Sequence, residues 1–274
     1  MRLAPTRFAT DTQITHWQRA WLYLLCAAVF AFLVLPCVLV IPMSFSVDRF
    51  LQFPPRALSL RWYRGFVESP DWIRAARTSL EVAIATVVFA TGLGTAAAYA
   101  IRQMGGRLAA ALRAICLLPM VAPVILIAVG VFFVFARLVL NNTLVGLILA
   151  HTLLALPYVV VTVGAALETC DLSQERVARS LGATRLRACI DVTLPQISPA
   201  IGSSLLFAFM TSFDETVIVL FVSGGDTSTL TRMMFENIRD QQDPTIAAIS
   251  TLLIVLSTAA LLAAQRLANG RRKS

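Results

Sequence analysis

Lysine is nearly missing from this 274-residue chain, and its single example is Lys273. A phosphate-cradling loop of the form G-x-x-x-x-G-K-[ST] needs a lysine for the terminal phosphates. Nothing before Lys273 has that form, which speaks against ATP hydrolysis by that route. A Schiff-base lysine is disfavoured for the same reason. Charge of either sign is also scarce. Only 14% of residues are charged and 58% are hydrophobic, where a soluble domain carries roughly 25% charged residues. Such a chain cannot cover its surface with water-compatible groups, so most of its solvent is lipid. The five cysteines contain no C-x-x-C pair, which argues against a disulfide framework or a zinc site. His16 and His151 are too far apart to form a metal site or a proton relay by themselves.

What the chain does have is long apolar runs. A helix needs about 20 apolar residues to cross the hydrocarbon core. Six charge-free segments qualify: Ala20–Val47, Val82–Ile101, Ala114–Ala136, Thr143–Leu167, Val192–Phe213 and Thr245–Gln265. The first exceeds a signal-peptide core and lacks an A-x-A cleavage pattern, so it reads as a retained span. With the N-terminus inside, basic residues divide 14 inside to 9 outside, which places both termini in the cytoplasm. The first outer loop nevertheless holds six arginines, mixed with Trp62, Tyr63 and Trp72. It is expected to form a short amphipathic helix with its aromatics at headgroup depth.

Small residues cluster in TGLGTAAAYA, Thr91 to Ala100, which predicts close helix approach and an interior position for the second span. Pro119, Pro123 and Pro157 interrupt helix hydrogen bonding within spans. His151 is expected to make a helix-to-helix hydrogen bond.

Between the fourth and fifth runs lies ERVARSLGATRLRACIDVTLP, Glu175 to Pro195. Asp171 or Ser173 can cap a first helix, with an apolar stripe of Val177, Ala178 and Leu181. Gly182 then stands where a residue of positive φ would end it. Thr184 can cap a second helix, striped by Leu186, Cys189, Ile190, Thr193 and Leu194, and Pro195 is expected to end that helix and begin the fifth span. Glu175, Arg176, Arg179, Arg185, Arg187 and Asp191 are assigned to the polar faces. Three readings compete. A helix-turn-helix DNA reader needs a supporting domain, for which the 24 residues between Leu167 and Val192 leave no room. A solvated connector with snorkelling arginines is the plain alternative. A rigid knob that docks a cytoplasmic partner fits best.

Asp214 and Glu215 stand between Leu205–Phe209 and Val217–Val222. An uninterrupted helix would hold both acids within the outer part of the membrane, lining a path attractive to organic cations. Alternatively the span ends at Phe213 with the acids at the outer surface, or they partner an arginine such as Arg232. Asp226, Glu236, Asp240 and Asp243 mark the outer loop as a surface for a partner protein, or simply as a solvated loop.

The Glu175–Pro195 spacing resembles the cytoplasmic EAA loop of ABC-transporter inner-membrane permeases, E-A-A, three residues, G, nine residues, I, one residue, L-P. The triplet falls on Arg176, Val177 and Ala178, the glycine on Gly182, and the tail on Val192, Leu194 and Pro195. Arg176 stands where the family has an acid, and Val177 and Val192 are substitutions. SFDETVIVLFVSGG together with MMFENIRDQQDPTIAAISTLLI resembles the spermidine/putrescine-type permeases. The resemblance implies an all-α integral membrane fold: six transmembrane helices in a type I ABC importer bundle with a cytoplasmic coupling loop. It implies a cytoplasmic segment 1–19, a permease domain 20–266 with its coupling loop at 171–195, and a basic tail 267–274. In such a subunit Glu175, Arg176, Val177, Ala178, Gly182, Arg185, Leu194 and Pro195 would meet the ATPase. The implied partners are a second homologous permease chain, two cytoplasmic ABC ATPase subunits, a periplasmic substrate-binding protein and membrane lipid, with no nucleic acid. ATP and Mg would bind the partner ATPase, and this chain would hold no cofactor, no metal and no catalytic residue. The cargo would be a small organic cation such as spermidine or putrescine, carried across a bacterial inner membrane. Another small organic solute, or a stand-alone secondary transporter, remains the alternative.

Overall fold

The computed structural model describes residues 20–48, 52–240 and 244–271. Arg2, Arg7, Arg19, Arg49, Asp243, Arg272 and Lys273 lie outside the described residues. Among those described the chain folds as α1 (Ala20–Ser44), α2 (Arg61–Glu68), α3 (Pro70–Met104), α4 (Gly106–Val121), α5 (Val124–Leu138) and α6 (Leu144–Thr169). It continues as α7 (Ser173–Ser180), α8 (Arg185–Ala188), α9 (Leu194–Phe213), α10 (Val217–Val222), α11 (Leu230–Asp240) and α12 (Thr245–Arg271). Extended structure among these residues amounts to one isolated bridge between Ser46 and Leu58.

The chain divides into two compact units, one of residues up to Phe66 with those from Gln242 onward, the other Val67–Gln241. In the first unit α1 packs on α12. Most of α1 is exposed, with Phe32 at 78%, as suits a helix whose solvent is hydrocarbon. The expected short amphipathic helix is α2. Its aromatics fasten to the end of α1: Tyr63 Oη lies 2.6 Å from Ser44 Oγ, and Trp62 Nε1 donates to the Ser46 carbonyl at 2.8 Å. The Arg61 guanidinium sits 4.1 Å over the Trp62 ring.

The second unit is built on α3, α6 and α9, each packed against the other two. Ala90 and Ala98 of α3 face Ala155, Val159 and Val163 of α6 in one core cluster. Alanine and glycine are needed here because no water-driven force squeezes helices together in lipid, so close backbone approach supplies the dispersion energy. At Gly94 an added β-carbon would come within 2.7 Å of Val159 Cβ and Cγ1. The interior position expected for the second span is therefore observed. A second cluster joins Val82 of α3, Ala128 and Phe135 of α5, Leu147 of α6 and Ile218 of α10.

Among the described residues, four helical stretches have the length and apolarity to cross a membrane: Trp21–Ser44, Pro70–Met104, Leu144–Thr169 and Arg185–Phe213. The expected single span Ala114–Ala136 is corrected. It is two helices, α4 and α5, bent by 104°. Pro123 has no N–H to continue the ladder, and Ala122 before it is pushed to φ −73°, ψ 140°, the extended region that a following proline favours. Pro119 and Pro157, by contrast, remain inside α4 and α6. The last run lies in α12, Thr245–Arg271.

Candidate functional site

The segment between α6 and α9 folds as a hinged pair of helices. Asp171 Oδ1 accepts the Ser173 backbone N–H at 2.9 Å, and Ser173, through its side chain first and its backbone second, holds the Asp171 carboxyl below its usual range. Helix α7 then ends in Gly182 at φ +95°, the left-handed region that glycine enters without a Cβ clash. Gly182 N–H donates to the Arg179 carbonyl at 3.0 Å and Ala183 N–H to that of Ala178 at 3.1 Å, which satisfies carbonyls at the helix end. Thr184 Oγ1 accepts from Arg187 N–H at 3.3 Å, so α8 is capped as the sequence suggests.

One expectation about the end of this segment is corrected. Pro195 does not end a helix, because the chain stays helical from Arg185 to Phe213. The turn before it, Cys189–Thr193, opens into a π-helix in which Leu194 N–H reaches the Cys189 carbonyl. A wider turn just ahead of a proline accommodates a ring that would otherwise clash with the preceding turn. The apolar stripes are divided between surface and interior. Val177, Leu181, Leu186 and Ile190 are exposed, Leu181 at 84%, while Ala188 and Thr193 are buried and Ala178 and Leu194 half-buried. Arg176, Arg179, Arg185 and Arg187 are exposed beside them. The pair of helices therefore exposes four large apolar side chains and four arginines.

Glu175 is the main departure from the sequence reading. It is not on a solvated face; it is 3% exposed. Its carboxylate accepts from Tyr99 Oη at 2.7 Å, from Gln103 Nε2 at 3.4 Å and from Thr193 Oγ1 at 2.9 Å. A buried carboxylate is costly unless its lone pairs are satisfied, and these three donors come from α3 and from the start of the α9 helix. Around it, Gln196 Nε2 donates to Gln174 Oε1 at 3.1 Å and Cys170 Sγ to Gln196 Oε1 at 3.3 Å. Arg102 Nε donates to the Leu167 carbonyl at 3.3 Å, and Arg113 pairs with Glu168 at 3.2 Å. Tyr99, Gln103 and Thr193 went unassigned as site residues in the sequence. The one available signal was a polar pair at i, i+4 closing a run of small apolar residues, which puts Tyr99 and Gln103 on one helix face.

At the other end of α9 the uninterrupted helix through Asp214 and Glu215 is not formed. Helix α9 stops at Phe213 with Asp214 at its cap, and α10 begins at Val217. Glu215 Oε1 accepts the Ile218 N–H at 2.9 Å, and its carbonyl accepts from Thr231 Oγ1 at 3.0 Å. Asp214 is exposed and Glu215 half-buried. Arg232 is not their partner: it pairs with Glu236 at 2.7 Å and donates to the carbonyls of Val219 and Ser223. Asp226 pairs with Arg74 at 2.8 Å and Asp240 with Arg239 at 3.0 Å. Within the bundle, His151 Nδ1 and Ser212 Oγ lie 2.8 Å apart, both buried, which is the interhelical bond expected of His151.

Comparison with known proteins places the chain among transport-system membrane components. Residues 90–273 match the family described as the binding-protein-dependent transport system inner membrane component. The chain is 27% identical over 246 residues to the spermidine/putrescine transport system permease protein PotC of Escherichia coli (strain K12), covering 90% of this chain and 93% of that one. It is 30% identical over 241 residues to the putrescine transport system permease protein PotI of the same strain, covering 85% of each. Its fold matches a chain of a bacterial ABC transporter involved in the import of the acidic polysaccharide alginate, with TM-score 0.75 and 14% identity over 95% of this chain and 99% of that one. A chain of a bacterial alginate ABC transporter in complex with alginate pentasaccharide-bound periplasmic protein gives TM-score 0.64 and 16% identity, over 88% and 92% of the two chains.

Proposed function

This chain belongs to the family of binding-protein-dependent transport system inner membrane components, multi-pass proteins of the inner membrane, and from that premise we propose that it is a permease subunit of an ATP-driven importer of small organic cations. The observation that carries the coupling half of this reading is the hinged knob of α7 and α8, with Val177, Leu181, Leu186 and Ile190 exposed among arginines. An apolar patch of this kind on a membrane protein's polar loop calls for a protein partner. The partner is a cytoplasmic ATPase, one of two, which bind ATP and Mg; a second homologous permease completes the path, and a periplasmic binding protein delivers the solute. The chain crosses the membrane six times, with α4 and α5 together making one broken crossing and both termini in the cytoplasm.

The cargo assignment draws on the 30% identity to a putrescine permease subunit over 85% of the chain and on Asp214 and Glu215 at the break between α9 and α10. A helix break at membrane depth is tolerated where the backbone lines a cavity or is buried in protein, and two carboxylates there favour cations. ATP-driven closure of the ATPases moves the knob, the spans shift from outward-open to inward-open, and the solute passes between the two permeases.

Uptake of radiolabelled spermidine and putrescine, in cells with the intact gene set and in cells lacking only this gene, tests the reading. Loss of uptake on deletion, restored by the intact gene and abolished by a catalytically dead partner ATPase, is the expected result. Unchanged amine uptake overturns the cargo, and uptake that persists without any ATPase overturns the importer in favour of a stand-alone transporter. Asp214→Asn and Glu215→Gln are expected to weaken cation uptake; unaffected uptake in both removes these acids from the path.

A further inference from the structure

The knob is joined to the spans by three connections of different stiffness. On its N-terminal side a short linker, Cys170–Leu172, leaves α6. At its centre is Gly182, exposed, with nothing within 4 Å of where a β-carbon would be. On its C-terminal side α8 runs unbroken through the π-turn into α9. Left to these connections alone, a push on α7 would be absorbed at the linker and at Gly182. Beside the Gln196–Gln174 hydrogen bond between α9 and α7, the Glu175 carboxylate removes that slack: it binds α7 to Thr193 at the head of α9 and to Tyr99 and Gln103 on α3.

We propose that Tyr99, Gln103 and Thr193 are positioning residues that clamp Glu175, so that a displacement of the knob is delivered to α3 and α9 together. The proposal rests on the permease reading above, and it assigns a role in coupling to Tyr99 and Gln103, which lie on a span and outside the loop. All three hydrogen-bond donors to the carboxylate are neutral side chains, so the clamp is strong while the acid is enclosed, and weak once water enters. The 2.7 Å contact from the tyrosine hydroxyl is in the range of a charge-assisted bond. Removing one donor leaves a buried charge incompletely satisfied, and the carboxylate then recovers hydration by letting α7 pull away. Arg176, beside Glu175, stays exposed, so the two adjacent charges do different work: one faces inward as a fastener and the other is available to a partner.

The test uses the assembled transporter, with its partner permease, ATPases and binding protein, in lipid nanodiscs and proteoliposomes. Two quantities are read: stimulation of ATP hydrolysis by the solute-loaded binding protein, and solute imported per ATP. Wild-type stimulation establishes the importer; its absence would count against the function proposed above and not specifically against the clamp. Tyr99→Phe, Glu175→Gln and Thr193→Val are each expected to retain the ATPase through purification yet to lower import per ATP at least threefold. The double variant Tyr99→Phe/Glu175→Gln should be no worse than Glu175→Gln alone, because the tyrosine acts through the acid. Variants that lose thermal stability but keep the wild-type import per ATP overturn the clamp as a coupling device and leave it a packing feature. A second measurement needs no partner: spin labels at Ser180 and Leu108, both exposed, in a background with the native cysteines replaced. A broadened distance distribution in Glu175→Gln supports the clamp, and an unchanged one overturns it.

Discussion

Gly94 of α3 lies against Val159 of α6 so closely that a β-carbon at residue 94 would meet the valine's Cβ and Cγ1 at 2.7 Å. The contact sits in the cluster of Ala90, Ala98, Ala155 and Val163, where the two helices touch nearly backbone to backbone. Gly94→Val should therefore force α3 and α6 apart and cost about 1–3 kcal/mol, the usual range for overpacking. Val159→Ala in the same chain should recover part of the loss. Thermal unfolding in detergent would check this; a Gly94→Val protein as stable as the wild type would mean that the helices do not meet there.

His151 and Ser212 offer a cleaner pair for measuring an interhelical bond, because both side chains are buried and 2.8 Å apart. A cycle of His151→Ala, Ser212→Ala and the double variant should give a coupling energy of about 0.6 kcal/mol and no more than ~1.7 kcal/mol, as for polar pairs in other membrane bundles. The modest size follows from the unfolded chain in lipid, which also finds partners for these groups. Strict additivity of the two single changes would show that no bond exists.

At Gly182 the strain of a substitution comes from the backbone alone, since φ is +95° and no atom crowds the position. Gly182→Val should cost roughly 1–2 kcal/mol through its β-carbon and tilt α7 against α8, with Gly182→Asn less severe because asparagine tolerates the left-handed region. Gly182→Pro, or a bulky residue at half-buried Ala178, should act in the same direction. Each variant is expected to reach the membrane in normal amount and to leave its partner ATPases hydrolysing ATP with reduced import. Wild-type import by Gly182→Pro would rule out a mechanical role for the hinge.

Leu181 and Leu186 are exposed at 84% and 71%, so neither contributes much to folding. Leu181→Glu and Leu186→Glu should change stability by less than ~0.5 kcal/mol while disrupting the apolar patch. Co-purification of the partner ATPase through an affinity tag is the measurement. Full recovery of the ATPase with both variants would move the docking surface elsewhere on the chain.

Much of this architecture was readable along the chain. Apolar runs longer than a bilayer is thick leave few choices except helices, and Gly182 and Thr184 mark the end of α7 and the start of α8 by chemistry that needs no distant partner. The family resemblance also followed from local spacing. Tertiary structure settled what depends on neighbours. Of the three span prolines considered, Pro123 breaks the chain into α4 and α5 while Pro157 does not. Pro157 is buried in a helix packed on α3 and α9, whereas Met120 and Val121 beside the break are 54% and 82% exposed, so nothing there holds a helix together against a missing bond. Glu175 is the sharpest case. An eight-residue helix with charges on several faces does not say which one turns inward. That was decided by Tyr99 and Gln103, which arrive on another helix more than seventy positions earlier in the chain and supply the donors that make burial of a carboxylate affordable.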